Sequence, residues 1–239
     1  MAQQESYTKR VDGRGWDETR PIQAKAGVIP MADGSALFKI GNSTAYAAVY
    51  GPRELHPKFM QNPNTGILRC TYNMQPFSGP GSRGRPGPSR RSKEISMVTT
   101  KALEPVVDLS DFPNTVVDVC IEFIETDAGS RCAGICAAAI ALADAGIPMK
   151  DMVAAIAVGH VEGQILVDLN GEEEHLKLEV ADIPVAIIPS TGEITLLQMD
   201  GITSKETLLA ALDKAKETAK RISEVQREAV LTKYREVQR

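Results

Sequence analysis

No apolar stretch in this sequence approaches the roughly 18 residues that a membrane-crossing helix needs. The N-terminus, Met1-Ala2-Gln3-Gln4-Glu5-Ser6, lacks the apolar core of a signal peptide, so a cytoplasmic location is the expectation. Cysteine is scarce. Cys70, Cys120, Cys132 and Cys136 contain no Cys-x-x-Cys pair, and three of the four fall in apolar patterns. Buried free thiols are expected, not a disulfide framework or a zinc site. His56, His160 and His175 have no metal-ligand spacing, which argues against a zinc enzyme. A Gly-x-x-x-x-Gly-Lys-[Ser/Thr] loop is missing, which counts against a kinase-type ATP site; Gly129-Ser130-Arg131-Cys132-Ala133-Gly134 is a poor substitute. Surplus positive charge is missing too. The net charge is −4, so this is not a globally basic nucleic-acid binder.

What is present is enough for a large core: 239 residues, 43% of them hydrophobic. The charge is segregated. Arg83, Arg85, Arg90, Arg91 and Lys93 form a basic segment, and Glu172 to Glu174 an acidic one. Strand-like runs are expected near 20–26 and at 34–40, 43–50 and 67–74, with Gly41-Asn42 as a tight hairpin turn. The segment 79–89, rich in Gly, Pro and Arg, reads either as a solvated loop or as a basic arm for RNA phosphates. A helix is expected from Ser89-Arg90 to about Val107, then a strand over 116–124 and an alanine-rich helix ending at Gly146 and Pro148. Further strands at 153–161, 164–169, 182–189 and 193–199 precede a long helix opened by a Thr203-Ser204-Lys205-Glu206 capping box. The class is α+β, with sheets covered by helices. One domain is expected, with an N-terminal half at about 20–148 and a C-terminal half at about 149–239.

The stretch Thr126 to Asp144 organises the chemistry. It runs from a strand through Gly129-Ser130-Arg131 into the alanine-rich helix. A helix start carries unpaired N–H groups and partial positive charge, and Gly, Ser and Arg add close approach and donors matched to phosphate. The alternative is an ordinary turn with a solvated Arg. Arg90, Arg91 and Arg69 supply further cations, and Glu174, Glu179 and Asp182 supply carboxylates. Such a set suits phosphoryl chemistry, in which phosphate charge is neutralised while a leaving oxygen takes a proton. Asp182 precedes the apolar run 183–188, where burial would raise its pKa toward that of a general acid. Taken singly, Asp182 also reads as a strand-end residue, and 172–174 as a solvated acidic loop.

Several motifs together resemble the ribonuclease PH superfamily, most nearly the catalytic ring subunits of the archaeal exosome. They are Arg10-Val11-Asp12-Gly13-Arg14, Gly51-Pro52-Arg53-Glu54, Ser89-Arg90-Arg91-Ser92, Thr126 to Arg131, Ala143 to Pro148, Asp168-Leu169-Asn170 and Asp182-Ile183-Pro184-Val185. The resemblance implies a ribonuclease PH-like fold, akin to the second domain of a small-subunit ribosomal protein (S5), with two βαβα-type halves. It implies 3′-to-5′ degradation of RNA to nucleoside diphosphates with inorganic phosphate as co-substrate, and it leaves room for a divalent cation (Mg2+). It implies a hexameric ring with a related inactive subunit, capped by RNA-binding S1 or KH subunits. By motif, Gly129, Ser130, Arg131 and Arg91 would hold phosphate, and Arg90, Arg69 and His56 would meet RNA. Asp182 matches the second of two acidic residues in the family's site. The first lies six positions earlier in the family, where this chain has Leu176; Glu174 stands two residues further back. The alternative is a non-catalytic ring subunit that only binds RNA.

Overall fold

A computed structural model describes residues 7–80, 87–176 and 178–237, the side chains of 236–237 excepted. Arg83 and Arg85, and with them most of the basic arm expected at 79–89, lie outside the described residues.

The first half builds a five-stranded sheet from β1 (Ile22–Ala26), β2 (Gly34–Ile40), β3 (Ser43–Glu54), β4 (Ile67–Met74) and β5 (Thr115–Glu125). Its spatial order is β1-β2-β3-β5-β4, antiparallel except for the parallel pair β4 and β5. Helix α1 (Arg90–Leu103) makes the crossover between those two strands, and α2 (Ser130–Asp144) follows β5. The second half is an antiparallel sheet of β6 (Ala154–Val161), β7 (Gln164–Val167), β8 (Val180–Ile187) and β9 (Ile194–Leu197), ordered β7-β6-β8-β9. Between β7 and β8 lies the one-turn helix α3 (Gly171–Glu174), and α4 (Lys205–Val237) closes the chain.

Period-two burial explains the first sheet. On β5, Val117, Val119, Ile121 and Phe123 are fully buried, while Asp118 and Glu122 between them stay partly exposed. Helix α2 is buried on every side, because it lies against both sheets. Its alanines keep that approach close. One apolar core therefore runs through both halves of the chain. No helix among the described residues is long and apolar enough to cross a membrane. The four cysteines are free; Cys70, Cys132 and Cys136 are buried and Cys120 half-buried.

Several expected boundaries shift for local reasons. Strand β1 starts at Ile22, just after Pro21, which has no N–H to give the ladder. Helix α1 stops at Leu103, short of Val107: Glu104 still has helical geometry, but Pro105 has no N–H to give the Lys101 carbonyl. The cap of α4 is Ser204, whose Oγ accepts the Thr207 N–H at 3.1 Å, not Thr203, whose buried hydroxyl has no partner. The acidic run 172–174 is no solvated loop. It forms α3, capped reciprocally by Asn170 and Glu173, with Glu173 wholly buried.

Candidate active site

The site forms where β5 hands over to α2. Ala128 (φ 57°) and Gly129 (φ 61°) are both left-handed, which turns the chain sharply into the helix. The turn is pinned from outside. Ser43 Oγ accepts the Asp127 N–H at 2.9 Å and donates to the Ala128 carbonyl at 2.8 Å, while the Thr126 N–H reaches the Ser78 carbonyl. No side chain caps α2 and its first turn holds no acid, so its N-terminal dipole is left for an anion.

Around that end stand side chains from four further elements. Tyr72, on the inner face of β4, donates its hydroxyl to Ser130 Oγ at 2.8 Å. Burial pushes the Tyr72 hydroxyl up, opposed by the Ser130 bond and by nearby Arg91 and Arg131. Arg91, in the first turn of α1, lines a groove of about 320 Å³ together with Tyr72, Gln75, Ser78 and Ser92. Arg131 Nη1 donates to Gln198 Oε1 at 2.5 Å, and Gln198 in turn donates to Glu94 Oε1 at 2.9 Å, so the Arg131 side chain is held from the residue after β9 and, through it, from α1.

The two carboxylates face this end of α2. Glu174, the last residue of α3, lies near the Gly129 N–H. Burial nevertheless raises its pKa, against the pull of His175, Arg20 and Arg91. Asp182, on β8, is pushed up to about 7 by burial first and the Glu174 charge second, with Arg131 opposing. Its Oδ1 is buried without a partner. Two carboxylates near a cationic helix end, one of them able to carry a proton at neutral pH, form an acid poised beside an anion site. Among the described residues no group of three or more His, Cys, Asp and Glu side chains is arranged to hold a metal.

The other expected contacts lie apart. Arg90, the residue beside Arg91 on α1, is exposed and does not line that groove. Arg69 projects from the opposite face of the sheet, where it makes a bidentate pair with Asp118 at 2.6 and 2.9 Å. His56 is exposed beyond the end of β3, near Glu54. That end pairs with the start of β5, and the site lies at its finish, roughly 30 Å along the strand. Sequence reading passed over Tyr72, Gln198, Arg20 and Asp168. Tyr72 was visible as an inward residue of β4, alternating with Arg69 and Thr71. Asp168 stood in the Asp168-Leu169-Asn170 motif without a role in the site, and Arg20 and Gln198 are brought in by long-range packing and carry no local signal.

The N-terminal motif is a clamp. Arg10 forks onto the Glu173 carboxylate at 2.7 and 2.8 Å and donates to the carbonyls of Val167 and Asp168; both side chains of the pair are fully buried. Burial works against ionisation of Glu173, but the Arg10 bonds hold its carboxyl below the usual range. Arg14 adds bonds to Asp168. The motif thus fixes α3, and with it Glu174.

Comparison with known proteins gives consistent matches. A family model described as "3′ exoribonuclease family, domain 1" matches residues 18–148, and "domain 2" of the same family matches 151–218. The chain is 54% identical over 226 residues to the exosome complex component Rrp41 of Thermococcus kodakarensis, covering 95% of this chain and 90% of that one. The Rrp41 of Methanopyrus kandleri is 48% identical, covering 94% and 93%. Among solved structures, rice Rrp46 superposes with a TM-score of 0.81 at 27% identity, covering 93% of this chain and all of that one. A chain of the Archaeoglobus fulgidus exosome, solved with RNA bound to the active site, gives 0.77 at 25% identity, covering 91% and 92%.

Proposed function

The chain belongs to the ribonuclease PH family of 3′ exoribonucleases, and on that footing we propose that it is the catalytic subunit of an archaeal-type exosome that shortens RNA by phosphorolysis. The observation that carries this reading is the meeting of an uncapped helix start with a carboxyl whose pKa is about 7. Inorganic phosphate is the nucleophile. The N–H groups at the start of α2, with Ser130, Arg131 and Arg91, neutralise its charge. Its oxygen attacks the phosphorus of the last phosphodiester, and the bond to the 3′ oxygen of the preceding ribose breaks. That oxygen takes the Asp182 proton. The products are a nucleoside diphosphate and an RNA one nucleotide shorter with a free 3′ hydroxyl.

Glu174 has a double part. Its charge helps Asp182 keep a proton, and its carboxylate, which lies near the Gly129 N–H, must yield when phosphate takes that place. The residue is one methylene longer than the aspartate of the family pattern, and the altered spacing to Asp182 falls after α3, which ends at Glu174. Charge neutralisation is assigned to the arginines and N–H groups, and Glu174 and Asp182 are the carboxylates that would hold a divalent cation together with substrate phosphate oxygens. The partner in the ring is a related ribonuclease PH-like subunit, and RNA-binding caps belong to the same proposal.

The test is phosphate-dependent release of nucleoside diphosphates from poly(A) by the reconstituted ring. Wild type is expected to release them. Asp182→Ala is expected to lose about 10²–10⁴-fold in kcat, the usual share of a general acid, and Glu174→Ala less. An inert wild type would sink the phosphorolytic reading in favour of a ring subunit that only binds RNA.

A further inference from the structure

Two loops from different halves of the chain meet at the site. Residues 126–129 lead into α2, and 168–170 lead into α3 with Glu174 at its end. The bonds between these loops converge on a residue of the N-terminal segment. Arg20 is 5% exposed and Asp168 1%. Arg20 forks onto the Asp168 carboxylate through Nε (2.9 Å) and Nη2 (2.7 Å), and its backbone N–H adds a third bond at 2.7 Å. With its remaining nitrogen, Nη1, it donates to the Asp127 carbonyl and lies 3.6 Å from the Asp127 carboxylate. Asp127 in turn accepts the Gly171 N–H, at the first position of α3, at 2.9 Å. Asp168 holds a left-handed backbone (φ 58°), uncommon outside glycine, so the arrangement is maintained at some cost.

We infer that Arg20 is a positioning residue: through Asp168 and Asp127 it fixes the acid-bearing loop against the anion-binding start of α2. The inference rests on the phosphorolytic reading and adds to it a residue outside the reacting groups. Two consequences follow. Loss of the fork lets the α2 turn and the Glu174 loop drift apart, which weakens phosphate binding. Loss of the charge changes the titration of the pair. Glu174 is faced by Arg20, by Arg91 of α1, by His175 and by Asp182. Asp182 is faced by Glu174, by Arg131 and Cys132 of α2, and by Asp200. Without Arg20, Glu174 keeps its own proton more readily and repels Asp182 less, so Asp182 loses its proton at lower pH.

The experiment compares wild type, Arg20→Gln and Arg20→Lys in the reconstituted ring. For Arg20→Gln the KM for phosphate is expected to rise by about tenfold or more, and the alkaline limb of kcat to move to lower pH. Arg20→Lys, which keeps charge but not the fork, should restore the limb and leave KM raised. A merely structural role would lower the active fraction, reducing kcat while leaving KM and the limb in place. KM within about twofold of wild type in both variants, with unmoved limbs, overturns the inference. Should Arg20→Gln fail to assemble, Arg20→Lys decides through KM. Carboxyl-carbon NMR titration of Asp182 in the full chain reads the limb without turnover. An inert wild-type ring would defeat the phosphorolytic reading, while this titration, moved or unmoved by Arg20→Gln, would still uphold or overturn the clamp.

Discussion

Asp182 shows what burial does to one side chain, and the effect is measurable without any RNA. Its carboxyl is pushed from 3.8 to about 7 by burial and by Glu174. A raised carboxyl pKa means that the folded chain holds this proton more tightly than the unfolded chain. The contribution to stability is fully present below the unfolded value and is lost as pH rises through the folded one, between about pH 4 and pH 7. Above that window the folded chain carries a buried charge it would be better without. Asp182→Asn removes the charge, so its melting temperature relative to wild type is expected to be higher at pH 8 than at pH 4.5. The ceiling on the difference is about 4 kcal/mol, at about 1.36 kcal/mol per tenfold in proton affinity. An equal offset at both pH values would mean that Asp182 titrates like an exposed carboxylate, and the general-acid role would go with it.

At the scale of elements, two glycines, one packed against α2 and one within it, make opposite predictions. Gly34, at the start of β2, lies so close to the end of α2 that a Cβ there would stand 2.2 Å from the Ala145 nitrogen and 2.4 Å from the Ala141 carbonyl oxygen. Those atoms are backbone and cannot move aside. Gly34→Ala is expected to cost about 1–3 kcal/mol or more. Gly134, inside α2, would place its Cβ 3.4 Å from Ile121 and 3.5 Å from Phe123, which is ordinary contact. Gly134→Ala gains helix propensity at little steric cost and is expected to stabilise by about 0.5–1 kcal/mol. Urea midpoints for the two variants check both signs. Elements with a strong period were legible in the sequence: β2 and β4 fall on their expected bounds, as does the Gly41-Asn42 hairpin. Helix α3 was not. One turn of Gly-Glu-Glu-Glu has no apolar period, and its position depends on Arg10, some 160 residues away in sequence. The same reason hid half of the site. Gly129, Ser130, Arg131, Asp168 and Asp182 sit in local motifs, whereas Arg20 and Gln198 are recruited by tertiary contact alone.

Among the described residues, no helix packs on one face of the first sheet. The helices pack on the side that carries Ala47, Val49, Tyr72, Val119 and Phe123. The other side presents Tyr46, Tyr50, Arg53, Arg69, Asp118, Cys120 and Ile124, partly or wholly exposed, with Arg53 stacked on Tyr50 at 4.8 Å and a shallow hollow of about 450 Å³ at its centre. Tyrosines and arginines around a half-buried cysteine have the make-up of a protein interface more than of a solvated surface. A ring subunit would cover them, and part of the RNA path would then come from its neighbour, so the isolated chain is expected to be weak or inactive. Cys120 reports on the covering, since the other three thiols are buried. A maleimide should label Cys120 in the isolated chain and label it much more slowly in the reconstituted ring, with phosphorolytic activity rising as the protection appears. Equal labelling in both states would put the ring contact elsewhere on the molecule. Full activity from a verified monomer would remove the need for a neighbour, and the exposed tyrosine face would then have no part in catalysis.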